Sequence, residues 1–378
     1  MNHEEKIRVL KDLVQIKSVN ENEEEVANYL KNLFKKHEID STLVNYSPGR
    51  SSLVAELSNG EGRVLGFTGH MDVVDAGDES QWTYPPYEGH IEGNKMYGRG
   101  TTDMKSGLAA MAIAMIELKE KGIPFNGKIK LLATVGEEIG ELGSQQLTEE
   151  GYADDLDGLI IGEPSNYNLV YTHMGSINYS VVSHGKSAHS SMPKEGINAI
   201  NHLNEFITEA NRAMDKITEK YEDEVLGRTI HNVTVIHGGN QVNSIPETAS
   251  LQANIRSIPR YSNDDIIHTL QAIVDKLNEK TDYHLELKVD YNKQAVKSPR
   301  DSALIQSILN VSDKDLPLIG LSATTDAAEF TKSAQPFDLV VYGPGEPTLP
   351  HQVDEYVQID NYLDMIEQYQ NSAKEYLK

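Results

Sequence analysis

The sequence predicts an α/β fold: a mostly parallel sheet with flanking helices, interrupted by a smaller inserted α+β domain. Three observations predict it. Short apolar runs at 53–57, 64–68, 129–135 and 159–161 read as buried strands. Helical patterns fall between some of them, the alternation that produces a parallel sheet. Between about 175 and 291 the order becomes strand, helix, strand, strand, helix, strand, which is the split βαβ arrangement. A chain of 378 residues also exceeds the size at which one core usually stops growing.

The elements follow in order. Ile7, Leu10, Val14 and Ile16 are spaced for a helix over 5–16. Val26, Leu30, Leu33 and Phe34 share one face of a second helix over 23–36. A third helix, 106–121, is rich in Ala, Met, Ile and Leu and stops at Gly122 and Pro124. The inserted part has a strand at 177–182, a long helix over 198–220, and strands at 229–237 and 249–256. A helix over 263–279 and a strand at 285–291 complete it. The chain then supplies a helix at 303–311, a loop at 322–326, a strand at 339–342 and a last helix after Asp360. The domain boundaries expected are 1–174 with 292–378 for the first domain and 175–291 for the insert.

Composition narrows the chemistry. A net charge of −24 argues against nucleic acid or an anionic membrane as partner and serves solubility. With no cysteine there are no disulfides, thiolate ligands or thiol nucleophiles, so any metal must be held by His, Asp and Glu. The charged start Met1-Asn2-His3-Glu4-Glu5-Lys6 lacks an apolar signal core, and no run approaches the roughly 18 apolar residues of a membrane span. A cytoplasmic protein is expected.

Acids and histidines recur at strand and loop ends. Gly69-His70-Met71-Asp72 ends the run 64–68, and a histidine with an acid two residues on suits a metal ligand whose ring, or whose neighbours, a carboxylate holds in place. Asp103, in Gly98-Arg99-Gly100-Thr101-Thr102-Asp103, either caps the helix at Ser106 or bridges two metals. Glu137-Glu138 follows the strand at 129–135 between Gly136 and Gly140, where two acids can divide into ligand and general base. Glu163 ends the next strand in Gly162-Glu163-Pro164, and His351 lies in a Pro/Gly loop. His189 follows the first strand of the insert, in a segment that also reads as a polar loop. His70, Asp103, Glu138, Glu163 and His351 make five donors, a set that two metals sharing one carboxylate use fully, with Glu137 moving the proton.

These motifs, with Tyr97–Gly107 around Asp103, resemble the M20 metallopeptidase family in order and over nearly the whole chain. The resemblance implies a di-zinc catalytic domain, with Co²⁺ or Mn²⁺ able to substitute, and an inserted lid that also mediates a homodimer. It implies that Asp103 bridges the metals. His70 and Glu163 complete one site, and Glu138 and His351 the other. Asp72 orients His70, Glu137 is the general base, and a cis peptide follows Asp103. In the lid it assigns oxyanion stabilisation to His189 and substrate contacts to Asn243 and Arg256, an arginine suiting a carboxylate. Thr324 and Gly345 match substrate-side loops.

The activity implied is hydrolysis of the N-acyl bond of a small N-acylated amino acid. N-succinyl-LL-2,6-diaminopimelate ranks first, in lysine and diaminopimelate biosynthesis, then N-acetylornithine, then aminoacylase or dipeptidase substrates. A catalytically inactive binding protein on the same fold is the rival of a different class. The chain departs from the family's desuccinylases twice. Thr172-His173-Met174-Gly175-Ser176 has no arginine before the Gly-Ser pair, and Thr324-Thr325-Asp326 lacks the preceding glycine pair.

Overall fold

The computed structural model describes residues 1–378 and divides into two units. One is Met1–Tyr171 with Lys297–Ile319 and Thr325–Lys378; the other is Thr172–Val296 with Gly320–Thr324. The chain opens with helices α1 (His3–Gln15) and α2 (Glu23–Lys36), then strands β1 (Asp40–Ser47), β2 (Arg50–Asn59) and β3 (Val64–His70). Short strands β4 (His90–Glu92) and β5 (Lys95–Tyr97) precede α3 (Ser106–Glu120). Next come β6 (Gly127–Thr134), α4 (Leu142–Glu149), β7 (Gly158–Ile161) and β8 (Leu169–His173). The middle holds β9 (Gly175–His184), β10 (Ala188–His189), α5 (Ala199–Lys220), β11 (Ile230–Gly238) and β12 (Ser244–Ile245). It continues with β13 (Thr248–Ser257), α6 (Asn263–Asn278) and β14 (Leu285–Lys293). The chain closes with β15 (Val296–Lys297), α7 (Ala303–Val311), β16 (Leu318–Leu321), α8 (Ala327–Phe330), β17 (Asp338–Val341), β18 (Tyr356–Gln358) and α9 (Ile359–Tyr376).

The main sheet runs β1-β2-β6-β3-β7-β17-β8-β15, with β16 on β8. Its centre, β6-β3-β7-β17, is parallel. The pairs β1–β2, β2–β6 and β17–β8 are antiparallel. Central parallel strands are covered on both faces, which is why β7 reads Gly-Leu-Ile-Ile and is buried throughout. In register, His70 stands beside Thr134, and Thr68 and Val341 both stand beside Ile161. The carboxyl ends of four strands therefore share one edge, where α/β sheets place their sites.

Helix α3 is apolar on every side and buried from Ser106 to Leu118, as a helix enclosed by other elements must be. It packs on α1 and α9. Gly107 makes its first turn possible: a Cβ there would stand 2.0 Å from the Gly162 carbonyl oxygen. The start of α3 is thus pressed against the residue preceding Glu163.

The second unit is a four-stranded antiparallel sheet, β11-β13-β9-β14, with α5 and α6 packed on it. Strict alternation of buried and open residues along β13 marks a sheet with one covered face. Ile177, Tyr179, Val181, Phe206, Leu251 and Leu270 belong to that core. No helix of the molecule is long and apolar enough to cross a membrane.

Glu117 ties three helices together. Its carboxylate receives Lys6 from α1 and Lys121 just after α3, each at 2.8 Å, and Gln370 from α9 at 2.9 Å. Burial pushes its pKa up, but the hydrogen bonds from Lys121, Lys6 and Gln370 outweigh burial and hold it at about 2. A carboxylate held down in the native state stabilises above its unfolded pKa and loses that contribution as pH falls through the native one. Glu117→Gln is expected to cost about 1–2 kcal/mol at pH 7, allowing for solvent screening of the exposed Lys121. Urea unfolding at pH 7 and pH 3 checks this: the gap between wild type and variant should shrink by about half at the lower pH. An undiminished gap would refute the ion-pair account.

Candidate metal centre

His70, the last residue of β3, carries its ring proton on Nδ1, which donates to the Asp72 carbonyl oxygen at 2.9 Å. That leaves Nε2 facing acids: Asp103 Oδ1 at 3.0 Å and Glu163 Oε1 at 3.4 Å. His351 Nε2 lies 3.0 Å from Glu138 Oε2 and 3.6 Å from Asp103 Oδ2. Asp103 therefore divides its oxygens, one toward the His70–Glu163 pair and one toward the His351–Glu138 pair. Ligand atoms about 2.0–2.1 Å from one tetrahedral ion are about 3.3 Å from each other, so these separations suit two cations. The donor atoms of His70, Glu137 and Glu163 also lie within 4.8 Å of one another, as do those of His70, Asp103 and Glu138.

Charge makes the same point. Burial opposes a proton on His70, but the carboxylates of Glu163, Asp103 and Asp72 outweigh it and raise its pKa well above the usual imidazole range. Four carboxylates, those of Asp103, Glu137, Glu138 and Glu163, surround two imidazoles. That field calls for positive charge, which divalent cations supply more fully than protons. Glu137 is pushed well above the usual carboxylate range, first by burial and then by Glu163, Asp326 and Glu138, against the pull of His70.

Asp72 touches more than His70. Its Oδ1 is 3.6 Å from His70 Nδ1, whose bond goes to the Asp72 backbone carbonyl. The two carboxylate oxygens instead accept the backbone N–H groups of Glu137 and Glu138, at 3.1 Å each. Residue 72 thus fixes the imidazole through its main chain and the Glu137-Glu138 turn through its side chain. Gly136 begins that turn at φ 63, a left-handed conformation open to glycine.

Asp103 does not cap α3. Helix α3 has Lys105 at its N-cap position with no side-chain cap bond, and Asp103 sits outside helical geometry at φ −120, ψ 95. The Asp103–Met104 peptide is cis. Lys105 is buried and donates to the Leu13 and Ile16 carbonyls at the end of α1, 2.8 Å each. Burial brings its pKa down to about 7.

Gly345 belongs to this unit: a Cβ there would meet the Thr102 carbonyl oxygen at 2.5 Å and Pro164 at 2.7 Å, so its bareness lets the loops of Asp103 and Glu163 close on it. His189, Asn243, Arg256 and Thr324 lie in the second unit. Strand β10 pairs with β12, and Ser190 N donates to the Asn243 carbonyl, which sets His189 and Asn243 side by side. His189 Nδ1 meets the Ser191 hydroxyl at 2.8 Å and the Ser191 N–H at 3.2 Å. Arg256 stands on β13 between Ile230 and Ser176. Sequence reasoning gave no role to Arg99, Glu355 and Asp326. Glu355 is buried against the Asp103 loop, and Asp326 accepts from Thr134 and Ser144 at 2.6 Å.

A His/carboxylate donor set with a spare carboxylate, at the carboxyl edge of an α/β sheet, defines the class of metal-dependent hydrolases. Residues 66–375 match the profile described as peptidase family M20/M25/M40. The chain is 39% identical over 405 aligned positions to a Staphylococcus epidermidis protein named probable succinyl-diaminopimelate desuccinylase, covering 100% of this chain and 99% of that one. Among solved structures, a Staphylococcus aureus tripeptidase matches with a TM-score of 0.78 at 25% identity, over 99% of this chain and 98% of that one. A dinuclear metal-binding M20 peptidase from Bacillus subtilis matches with a TM-score of 0.76 at 13% identity, over 99% and 98%. The chain belongs to peptidase family M20/M25/M40, and it is a metal-dependent hydrolase acting on amide bonds.

Proposed function

We propose that this chain removes the acyl group from an N-acylated amino acid, with N-succinyl-LL-2,6-diaminopimelate as its substrate. The observation that carries the substrate is the 39% identity to a probable desuccinylase along the full length of both chains. Two Zn²⁺ ions are the proposed cofactors, replaceable by Co²⁺ or Mn²⁺: His70 and Glu163 would hold one, Glu138 and His351 the other, and Asp103 would serve both. When bound, they supply Lewis acidity that acidifies water and polarises the scissile carbonyl. Glu137 takes the proton from the attacking water and hands it to the leaving amine. His189 donates from Nε2 to the oxyanion. Arg256 and Asn243 bind the substrate's carboxylate end, and Thr324 and Gly345 border its path. Residues 1–174 and 292–378 serve as the catalytic domain and 175–291 as the lid and dimerisation domain, and the enzyme works as a cytoplasmic homodimer.

A peptidase reading is favoured by two observations. The arginine usual in desuccinylases before the Gly175-Ser176 pair is missing, and a tripeptidase stands at 25% identity. A hydrolysis screen decides. With zinc or cobalt added, N-succinyl-diaminopimelate is expected to turn over at least tenfold faster, in kcat/KM, than N-acetylornithine, dipeptides or tripeptides. Turnover of peptides alone would overturn the substrate while leaving the chemistry intact.

A further inference from the structure

We propose that the buried Arg99–Glu355 pair is the positioning element that holds the two halves of the metal centre in register. The inference rests on the two-metal reading of that centre. Neither residue offers a donor to the metals, and both are buried, Glu355 at 0% and Arg99 at 3% exposure. A buried carboxylate costs stability unless hydrogen-bond donors meet it. Here the carboxylate is met by four donors: Arg99 Nη1 at 2.7 Å and the backbone N–H groups of Gly100 at 3.1 Å, Thr102 at 2.8 Å and Asp103 at 3.0 Å. Those amides belong to the turn that leads into the shared ligand, so Glu355 grips Asp103 by its own main chain.

The guanidinium faces the other way. Its Nη1 donates to the Gln352 carbonyl at 3.2 Å, and its Nη2 to the His351 carbonyl at 3.4 Å and the Asp75 carbonyl at 3.5 Å. His351 has φ 64, a left-handed conformation unusual for a residue with a side chain, and one that its surroundings must maintain. One ion pair therefore holds the backbones of a shared ligand and of a ligand exclusive to one side, and also the loop three residues past Asp72. Groups that orient ligands typically carry about 10–100-fold in metal affinity.

Glu355→Gln keeps the shape but turns one oxygen into an amide donor that faces the Gly100 N–H and the Arg99 fork. Cobalt titration of the metal-free protein, followed by the visible absorption of the bound ion, reads the effect without turnover. Wild type is expected to take two equivalents. Glu355→Gln is expected to bind at least one of them about 10–100-fold more weakly, and kcat to fall by a similar factor with KM changed less than about threefold. Glu117→Gln, which removes a buried carboxylate remote from these loops, should lower stability and leave the titration unchanged. If Glu355→Gln does not fold, Arg99→Lys decides, because an ammonium keeps the charge and loses the fork that reaches three carbonyls. Two cobalt ions bound with wild-type affinity and spectrum in the folded variant would overturn the positioning role alone. A wild-type chain that binds no cobalt overturns the metal reading with it.

Discussion

Replacing Glu137 by Gln is expected to lower kcat about 10³–10⁴-fold, in the upper half of the usual range for loss of a general base, while metal content stays at the wild-type level. The separation follows from the division of donors. His70 is met by Asp103 and Glu163, and His351 by Glu138 and Asp103, so both pairs are complete without residue 137. Yet the Glu137 carboxylate stands within 4.8 Å of the His70 and Glu163 donor atoms, near enough to serve a water placed there. Its backbone is pinned by Asp72, so the amide variant should keep the same position. A glutamine of the same size cannot take the proton from water or return it to the leaving nitrogen. Metal content by atomic emission and turnover on the best substrate of the screen, measured on one preparation, check both halves. Residual activity above a tenth of wild type would remove Glu137 from the proton path, and loss of metal would make it a ligand instead.

Much of this was legible in the sequence, because buried parallel strands write themselves as continuous apolar runs. β3, β6 and β7 do so, and an acid or histidine lies at or within a few residues of each carboxyl end, which is why His70, Glu137, Glu138 and Glu163 stood out as candidates. β1 was not legible: Asp-Ser-Thr-Leu-Val-Asn-Tyr-Ser lies at the edge of the sheet and buries only Val44. Nor were the antiparallel flanks, since pairing direction leaves no mark on a short strand. Asp103 was ambiguous because an acid just before a helix has the same sequence signature as a cap, and only the fold, which puts Lys105 at the N-cap of α3 and turns the Asp103 carboxylate toward His70, removes the cap. The spacing left open whether the Asp72 carboxylate holds the imidazole or its neighbours, because the turn at Gly136 brings two amides to that carboxylate from 65 and 66 residues away in sequence. Glu355 and Arg99 were hidden for the same reason. Their partners are main-chain groups of loops whose approach depends on the assembled sheet, and a hydrogen bond to backbone leaves no residue pattern to read.

Asp103→Ala is expected to strip the centre more thoroughly than loss of any other single donor. Its two oxygens are divided, Oδ1 3.0 Å from His70 and Oδ2 3.6 Å from His351, so one truncation removes a donor from each half. His351→Ala takes a donor from one half only and should leave the His70–Glu163–Asp103 set able to hold a single ion. Removing a direct ligand costs more than the ~10–100-fold typical of a residue that merely supports one. The Asp103→Ala variant should therefore retain less than about one-tenth of an equivalent of zinc after gel filtration, and His351→Ala close to one. The same difference should appear in stability. A ligand that binds only the native state raises stability by RT ln(1 + [L]/Kd), about 4 kcal/mol at a thousandfold excess over Kd. Added zinc should thus raise the melting temperature of wild type most, that of His351→Ala less, and that of Asp103→Ala hardly at all. The ordering is the sharp part of the test, because two independent metal sites would give His351→Ala and Asp103→Ala the same zinc-induced shift. Only a carboxylate shared between the sites makes the aspartate variant lose both.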